Sequence, residues 1–350
     1  MEMSVVIPTH GRPDKLAACL RALARQTLDA ERFETLVGID GGTRDERAAE
    51  AVRTALRDAW PADRSDRLAV VPLPRGGQAA VRNALLARAC GETIVFLNDD
   101  VVPDAGLLAA HLAAQREANE PGRTALVVGA APWRVHEPDR LFDRLIRETS
   151  MIFFYDRMDA MVRTGEVGRD HDWGFRHAWM LNLSAPASLV REAGGLSVFP
   201  DTYGYEDDEL AWRLGQRFGT RVLYRPEAAA VHDHRMEPDD YLRREFRLGH
   251  AAWGFARAAP ECARAMFGRD VTNGEEVEYS REFVRRERAT AERLEASFRS
   301  LAGLPADAVS GPHTESLVRL AYEQHLLLKR WHWRKGLLAA AAEDASQRSG

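Results

Sequence analysis

A chain of 350 residues, 45 % hydrophobic and 29 % charged, can bury a full core and has room for one large domain with an appendage. Its net charge of −5 argues against a dedicated nucleic-acid binder, which would usually be basic. Three cysteines, Cys19, Cys90 and Cys262, stand far apart without CxxC spacing; they support neither a disulfide framework nor a zinc site and point to a reducing compartment.

The opening MEMSVVIP enters a strand directly, with none of the basic and apolar runs of a secretion signal, and nothing reaches the length of a membrane span. The expectation is a cytoplasmic, soluble enzyme. Residues 4–7 form a short β-rich run broken at Pro8, Leu16, Leu20 and Leu23 follow at helical spacing, and residues 34–39 read as a second strand. A helical pattern over 44–59 leads to a third strand over 68–73, and a helix over 79–89 leads to a fourth over 93–97. Residues 126–130 add a further strand. Such alternation predicts an α/β class with a largely parallel, doubly wound sheet. After Pro138 the pattern changes: Leu141, Phe142, Leu145 and Ile146 form a helical stripe that Met151 to Tyr155 extends. Residues 179–183, 221–224 and 228–231 read as strands, with a helix over 205–218 stopped by Gly219. Beyond Pro238 the chain reads as wholly helical, with breaks at 272–274 and a loop from Gly303 to Pro312.

Five constellations carry candidate chemistry. The fourth strand ends in Phe96-Leu97-Asn98-Asp99-Asp100, where open α/β sheets bind ligands. A divalent cation carrying a diphosphate would join those acids, or they cap the strand before a helix N-terminus. Pro8-Thr9-His10-Gly11-Arg12 and Asp40-Gly41-Gly42-Thr43 follow the first two strands and let a flat ligand approach, or are simply turns. Arg82, in the run 75–83, could reach a diphosphate with its planar fork or lie on a solvated helix face; the run is neither GxGxxG nor a P-loop. Tyr203-Gly204-Tyr205-Glu206-Asp207-Asp208-Glu209 opens a helix with four acids that suit its dipole, while a carboxylate facing a cleft could deprotonate an alcohol. The fifth is Val231-His232-Asp233-His234, a metal-ligand pair or two solvent-facing histidines.

In this order and spacing the motifs resemble family-2 inverting glycosyltransferases of the GT-A fold. Ser4 to Arg12 is similar to their "VVIPTYNR" start, Asp40 to Thr43 to "DDGS", and Ala80 to Asn83 with Gly91-Glu92 and Phe96 to Asp100 to "AARN…GE.I.FLDDD". Asn182, Gly194-Gly195, Gly204 to Leu210 and Arg213-Leu214 resemble "N…GGF…G.ED.EL..RL", and Pro226-Glu227-Ala228 with His232 resembles "P.A.v.H". The similarity covers residues 3–234 and implies a GT-A domain over 1–235, with a nucleotide-binding half (1–102) and an acceptor-side half (103–235), followed by a helical region over 236–350. It implies transfer from a nucleoside diphosphate sugar, UDP being the family's most frequent carrier, to an acceptor hydroxyl with inversion. Asp40 would hold the base or ribose with Pro8, Thr9 and Arg12 nearby; Arg82, Asn98 and Asp99 would lie by the nucleotide. Asp100 and His232 would hold Mn²⁺ or Mg²⁺, Asp207 would be the general base with Glu206 beside it, and Trp179 and Tyr205 would face the acceptor. Gly41 and Asn98 depart from the family by replacing acids, so the site carries less negative charge.

The segment Lys329-Arg330-Trp331-His332-Trp333-Arg334-Lys335 suits either a membrane interface, with peripheral contact and a lipid-linked acceptor, or a helix whose rings pack inward. Carbohydrate and small-molecule acceptors stay equally open. The rival functions are a nucleotidyltransferase making sugar nucleotides, which would not need the Glu206-Asp207 motif, and a non-catalytic nucleotide-sugar-binding relative.

Overall fold

A computed structural model describes residues 1–119, 123–199, 203–308, 310–311 and 313–349, so Pro312, the far end of the predicted loop, lies outside the described residues. Its strands are β1 (Met3–Thr9), β2 (Phe33–Asp40), β3 (Leu68–Leu73), β4 (Thr93–Leu97), β5 (Val101–Pro103), β6 (Ala125–Gly129), β7 (Asn182–Pro186), β8 (Arg221–Arg225) and β9 (Ala230–His232). Seven of them form one sheet in the order β3-β2-β1-β4-β7-β6-β8, and β5 pairs with β9 in a separate ribbon. The first four run parallel, β7 is antiparallel to both β4 and β6, and β8 is parallel to β6. β1, β4 and β6 are buried at every residue, as strands covered on both faces must be, and their near-continuous Val, Ile, Leu and Phe supply that burial.

β5 has no counterpart in the sequence pattern, and two predicted elements are displaced or cut short. The strand predicted over 179–183 starts at Asn182, because a turn precedes it, closed by the Asn182 N–H on the Trp179 carbonyl (3.4 Å). The helix Leu141–Glu148 does not run on through 151–155: Thr149 is extended and its hydroxyl donates to the Leu145 carbonyl (2.6 Å). A new helix starts at Tyr155.

The chain divides into two compact units: Met1–Trp133, Arg157–Val198 and Glu206–His234 form the first, and Arg134–Asp156, Phe199–Tyr205 and Arg235–Gly350 the second. The second therefore recruits two stretches from within the predicted 1–235 region. Their side chains explain it. Phe142 packs edge-to-face on Phe298 (5.1 Å), and Asp143, buried, accepts from Arg140 and Arg235. Helices Pro238–Ala258, Pro260–Phe267, Gly274–Ser300 and Thr314–Ser349 build the rest. Proline opens the first two, where a missing N–H costs nothing, and Asn273 caps the third by accepting from the Glu276 N–H (2.7 Å). The helices Pro238–Ala258 and Thr314–Ser349 touch backbone to backbone: a Cβ on Gly249 would lie 1.8 Å from the Trp333 carbonyl oxygen, and one on Gly336 1.9 Å from that of Phe246. Among the described residues no helix is long and apolar enough to cross a membrane.

Candidate active site

Strand register brings the first acidic motif together. β1 and β4 pair with Val6 opposite Phe96, and extending that register by three residues sets Thr9 beside Asp99. The Thr9 hydroxyl donates to Asp99 (2.7 Å), which is fully buried. β5 and β9 pair with Val101 opposite His232, so Asp100, one residue earlier, meets a histidine 132 positions away in sequence. His232 Nε2 lies 3.6 Å and His234 Nδ1 3.8 Å from Asp100 Oδ2, and the Asp233 N–H donates to the Asp100 carbonyl (2.7 Å). Trp133 packs its ring 4.2 Å from that of His232 and fixes the imidazole plane.

Arg12 spans both carboxylates, donating to Asp99 and, at 2.5 Å, to Asp100 Oδ2. Its predicted place near the nucleotide becomes a counter-charge on the acids themselves. Burial raises the Asp100 carboxyl, but His232, Arg12 and His234 outweigh burial and hold it well below the usual range. Burial pushes Asp99 up to about 6, with Arg12 opposing and Asp100 adding to the rise.

Asp100 Oδ1 is buried and accepts no hydrogen bond among the described residues. An anionic oxygen so placed fits a hard cation, and His232 beside Oδ2 is a suitable nitrogen donor. Among the described residues no three His, Cys, Asp or Glu side chains gather as a complete cage. The set fits an ion whose remaining ligands come from a diphosphate and water.

Arg82 ties this motif to the second one. The predicted solvated alternative for Arg82 is overturned: it is 1 % exposed. It donates to Asn98 Oδ1 (2.9 Å) and stands 3.6 Å from Glu206 and 3.7 Å from Asp207 Oδ1. The acid-to-amide change at Asn98 thus leaves a neutral acceptor for a guanidinium already facing two carboxylates. Asp207 Oδ2 accepts from the Met180 N–H (2.9 Å), and Trp179, half-buried, stands one residue before it with its ring 5.6 Å from His177. Crowding raises the Asp207 carboxyl, although 26 % of its side chain is exposed; Arg82 and the Met180 N–H oppose the rise. Asp208 is pushed up to about 8 by burial and by Asp207 and Glu206, with Arg176 opposing.

The other predicted residues are placed as follows. Asp40 Oδ1 accepts from the N–H groups of Gly76 (2.8 Å) and Gly77 (3.3 Å), tying the end of β2 to the start of the helix Gly77–Leu86, with Arg75 at 3.4 Å. Pro8 is a buried member of β1 opposite Gly38. Tyr205 belongs to the helical unit, where its ring stacks on Phe255 (4.8 Å) and its hydroxyl donates to the Leu248 carbonyl (3.0 Å) and accepts from Trp333 Nε1 (3.2 Å). Its φ of 68°, after Gly204 at 84°, is a strained turn for an aromatic residue directly before the acid helix.

Sequence reasoning named His234 in the HxH pair but kept only His232 as a ligand, and it missed Trp133 beside them and a buried network. His111 contacts Asn182 Oδ1 (2.8 Å) and Ser184 Oγ (2.9 Å), and Asn182 Nδ2 donates to the carbonyls of Ala130 (3.1 Å) and Ala228 (2.8 Å). Burial lowers His111 to about 4 despite the Asn182 bond, so it is a neutral strut. His234 had the HxH pattern as a signal; Trp133 had none.

Comparison with known proteins agrees with this fold. The profile described as "Glycosyl transferase family 2" matches residues 4–179. Validoxylamine A glucosyltransferase of Streptomyces hygroscopicus subsp. jinggangensis is 28 % identical over 233 residues, covering 61 % of this chain and 51 % of that protein. Pre-mycofactocin glycosyltransferase of Mycobacterium tuberculosis is 27 % identical over 195 residues, covering 53 % of this chain and 36 % of that one. The chain thus spans about half the length, or less, of these curated relatives. A mannosyltransferase of Pyrobaculum calidifontis, solved in complex with GDP-Man and Mn²⁺, shares the fold with a TM-score of 0.53 and 17 % identity, over 100 % of this chain and 88 % of that one.

Proposed function

Because the chain belongs to glycosyl transferase family 2, we propose that it moves a sugar from a nucleoside diphosphate sugar to an acceptor hydroxyl with inversion at the anomeric carbon. The observation that carries this reading is Arg82, one buried guanidinium within 2.9 Å of Asn98 and 3.7 Å of Asp207, which draws the two acidic motifs into one site. Asp207 is the general base. It accepts the acceptor's proton as that oxygen bonds to the anomeric carbon, and the bond to the diphosphate breaks with its electron pair on the leaving group. The Met180 N–H and Arg82 fix the carboxylate's orientation, and its raised affinity for protons suits the task. Asp100 and His232 would hold Mn²⁺ or Mg²⁺, which when bound neutralises charge on the leaving diphosphate. Thr9, Arg12 and Asp99 form the wall on the donor side, Asp40 orders the loop 76–77 near the base or ribose, and Trp179 lies on the acceptor side beside Met180.

Uridine is the base to test first. Thermal shifts against UDP, GDP and dTDP, each with and without Mn²⁺, should show one nucleotide stabilising the protein only with the metal. Turnover of the matching sugar nucleotide should then vanish in Asp207→Asn while the shift persists. Full turnover in that variant would reject the base assignment.

A further inference from the structure

We propose that the helical unit carries an anion site of its own, a cavity of about 390 Å³ lined by Arg269, Lys329, Arg330 and Arg334 with Phe267 and Trp333, which receives a phosphate or diphosphate ester. The basic segment 329–335 lies in the helix Thr314–Ser349, and its first tryptophan turns inward: Trp331 is 5 % exposed and donates to the Val284 carbonyl (3.0 Å). That ring is packing. The cations beside it are the part that packing leaves unexplained.

They are held in place before any ligand arrives. Arg334 is buried, donates to Glu276 (2.7 Å) and Ser280 (2.6 Å), and lies over the Tyr279 ring at 4.5 Å. Arg330 sits over Phe283 at 5.0 Å, and Lys329 donates to the Met151 carbonyl (3.4 Å). Preset guanidinium forks lose little freedom on binding, and their geometry matches phosphate oxygens. Glu245 lines the cavity but is taken by Arg244 (2.7 Å), while Glu276 is shared between Arg334 (2.7 Å) and Arg269 (3.0 Å). Of the side chains that line the cavity four are cations and one, Glu245, is an acid already paired with Arg244, so the lining carries an excess of basic groups in a chain whose net charge is −5. A second cavity in the same unit, bordered by Arg243, Arg247 and Arg299, lacks this excess because Asp240 pairs with Arg243, and Asp239 and Glu295 with Arg299.

Trp333 and Phe267, edge to face at 5.5 Å, give the cavity an apolar wall against which the organic part of an ester can lie. A lipid headgroup and a soluble sugar or nucleoside phosphate share this chemistry. The test titrates inorganic pyrophosphate into the full chain by calorimetry in EDTA, which removes any metal-dependent contribution at Asp100. The expected result is saturable binding that weakens tenfold or more in Lys329→Glu/Arg330→Glu, weakens less in Arg330→Gln, and is unchanged in Asp100→Asn. Thermal melts of each variant show whether it is folded, and Arg330, already solvent-facing, provides the variant least able to disturb the core. Flotation with phosphatidylglycerol vesicles against phosphatidylcholine vesicles then assigns the source. Flotation lost in the double variant identifies a lipid headgroup; pyrophosphate binding without flotation identifies a soluble ester. Absence of both, or pyrophosphate affinity equal in wild type and double variant, overturns the site. Because Asp100→Asn is one arm, this outcome is separate from that of the proposed transferase chemistry.

Discussion

Asp100 and Asp207 both stand in short acidic runs beside secondary-structure ends, and the protein treats them oppositely. Arg12, His232 and His234 converge on Asp100 and hold it ionised well below the usual carboxylate range. Arg82 and one N–H are the opposing groups on Asp207, which rises, and Asp208 climbs to about 8. Identical side chains thereby become different reagents: one stays charged as a ligand, the other is disposed to take a proton. The number of cations delivered by neighbouring elements decides which.

The comparison breaks most visibly through Asp207→Asn. An amide still accepts from the Met180 N–H but cannot take a proton, so turnover should fall by about 10²- to 10⁴-fold with metal-dependent nucleotide binding intact. Asp100→Asn should show the reverse signature, losing the Mn²⁺-dependent thermal shift with nucleotide. If both variants lost nucleotide binding equally, the division into ligand and base would fail. Next in size is Arg82→Gln. Removing a cation that is 1 % exposed strands Glu206 and Asp207, and the loss should be about 3–5 kcal/mol in urea unfolding. A loss under 1 kcal/mol would mean that the two acids already share a proton without Arg82. Smaller again is Tyr205→Phe, which keeps the stack on Phe255 and loses the bonds to Leu248 and Trp333, for about 1 kcal/mol.

Much of the first motif was legible in the sequence, because an apolar run ending in acids carries its own physical meaning. β4 falls on the predicted residues 93–97, since a fully buried strand advertises itself by composition, and β3, only partly buried, falls on 68–73, where a Val-rich run ends at prolines. What joins Asp100 to His232 was not legible. β5 and β9 are three residues each, too short for a period, and their register is a tertiary fact. The roles of Arg12 and Asn98 were legible only as positions near a nucleotide, because charge pairing across 88 residues leaves no local pattern. Tyr205 shows a different limit. The resemblance set it facing an acceptor, and only the stack on Phe255 shows where the ring goes. The recruitment of 134–156 by the helical unit was hidden for the same reason: an amphipathic stripe states that it needs a partner, not which one.

The comparison is also open to a test through pH. In the folded protein Asp208 gives up its proton at about 8, whereas an unfolded chain does so near the ordinary value of about 4. The folded state therefore binds the proton more tightly. The resulting stabilisation is complete below the unfolded value and is lost as pH rises through the folded one. Wild-type stability should decline between about pH 4 and pH 8 from this group, and Asp208→Asn, which has no proton to lose, should not share that part of the decline. Melting temperatures of the two proteins should match below about pH 4 and separate in favour of the variant as the pH rises to about 8. A gap of constant size across that range would mean the acid helix is not short of positive charge. The contrast with Asp100, whose stabilisation has the opposite sign and fades only in strong acid, would then lose its physical basis.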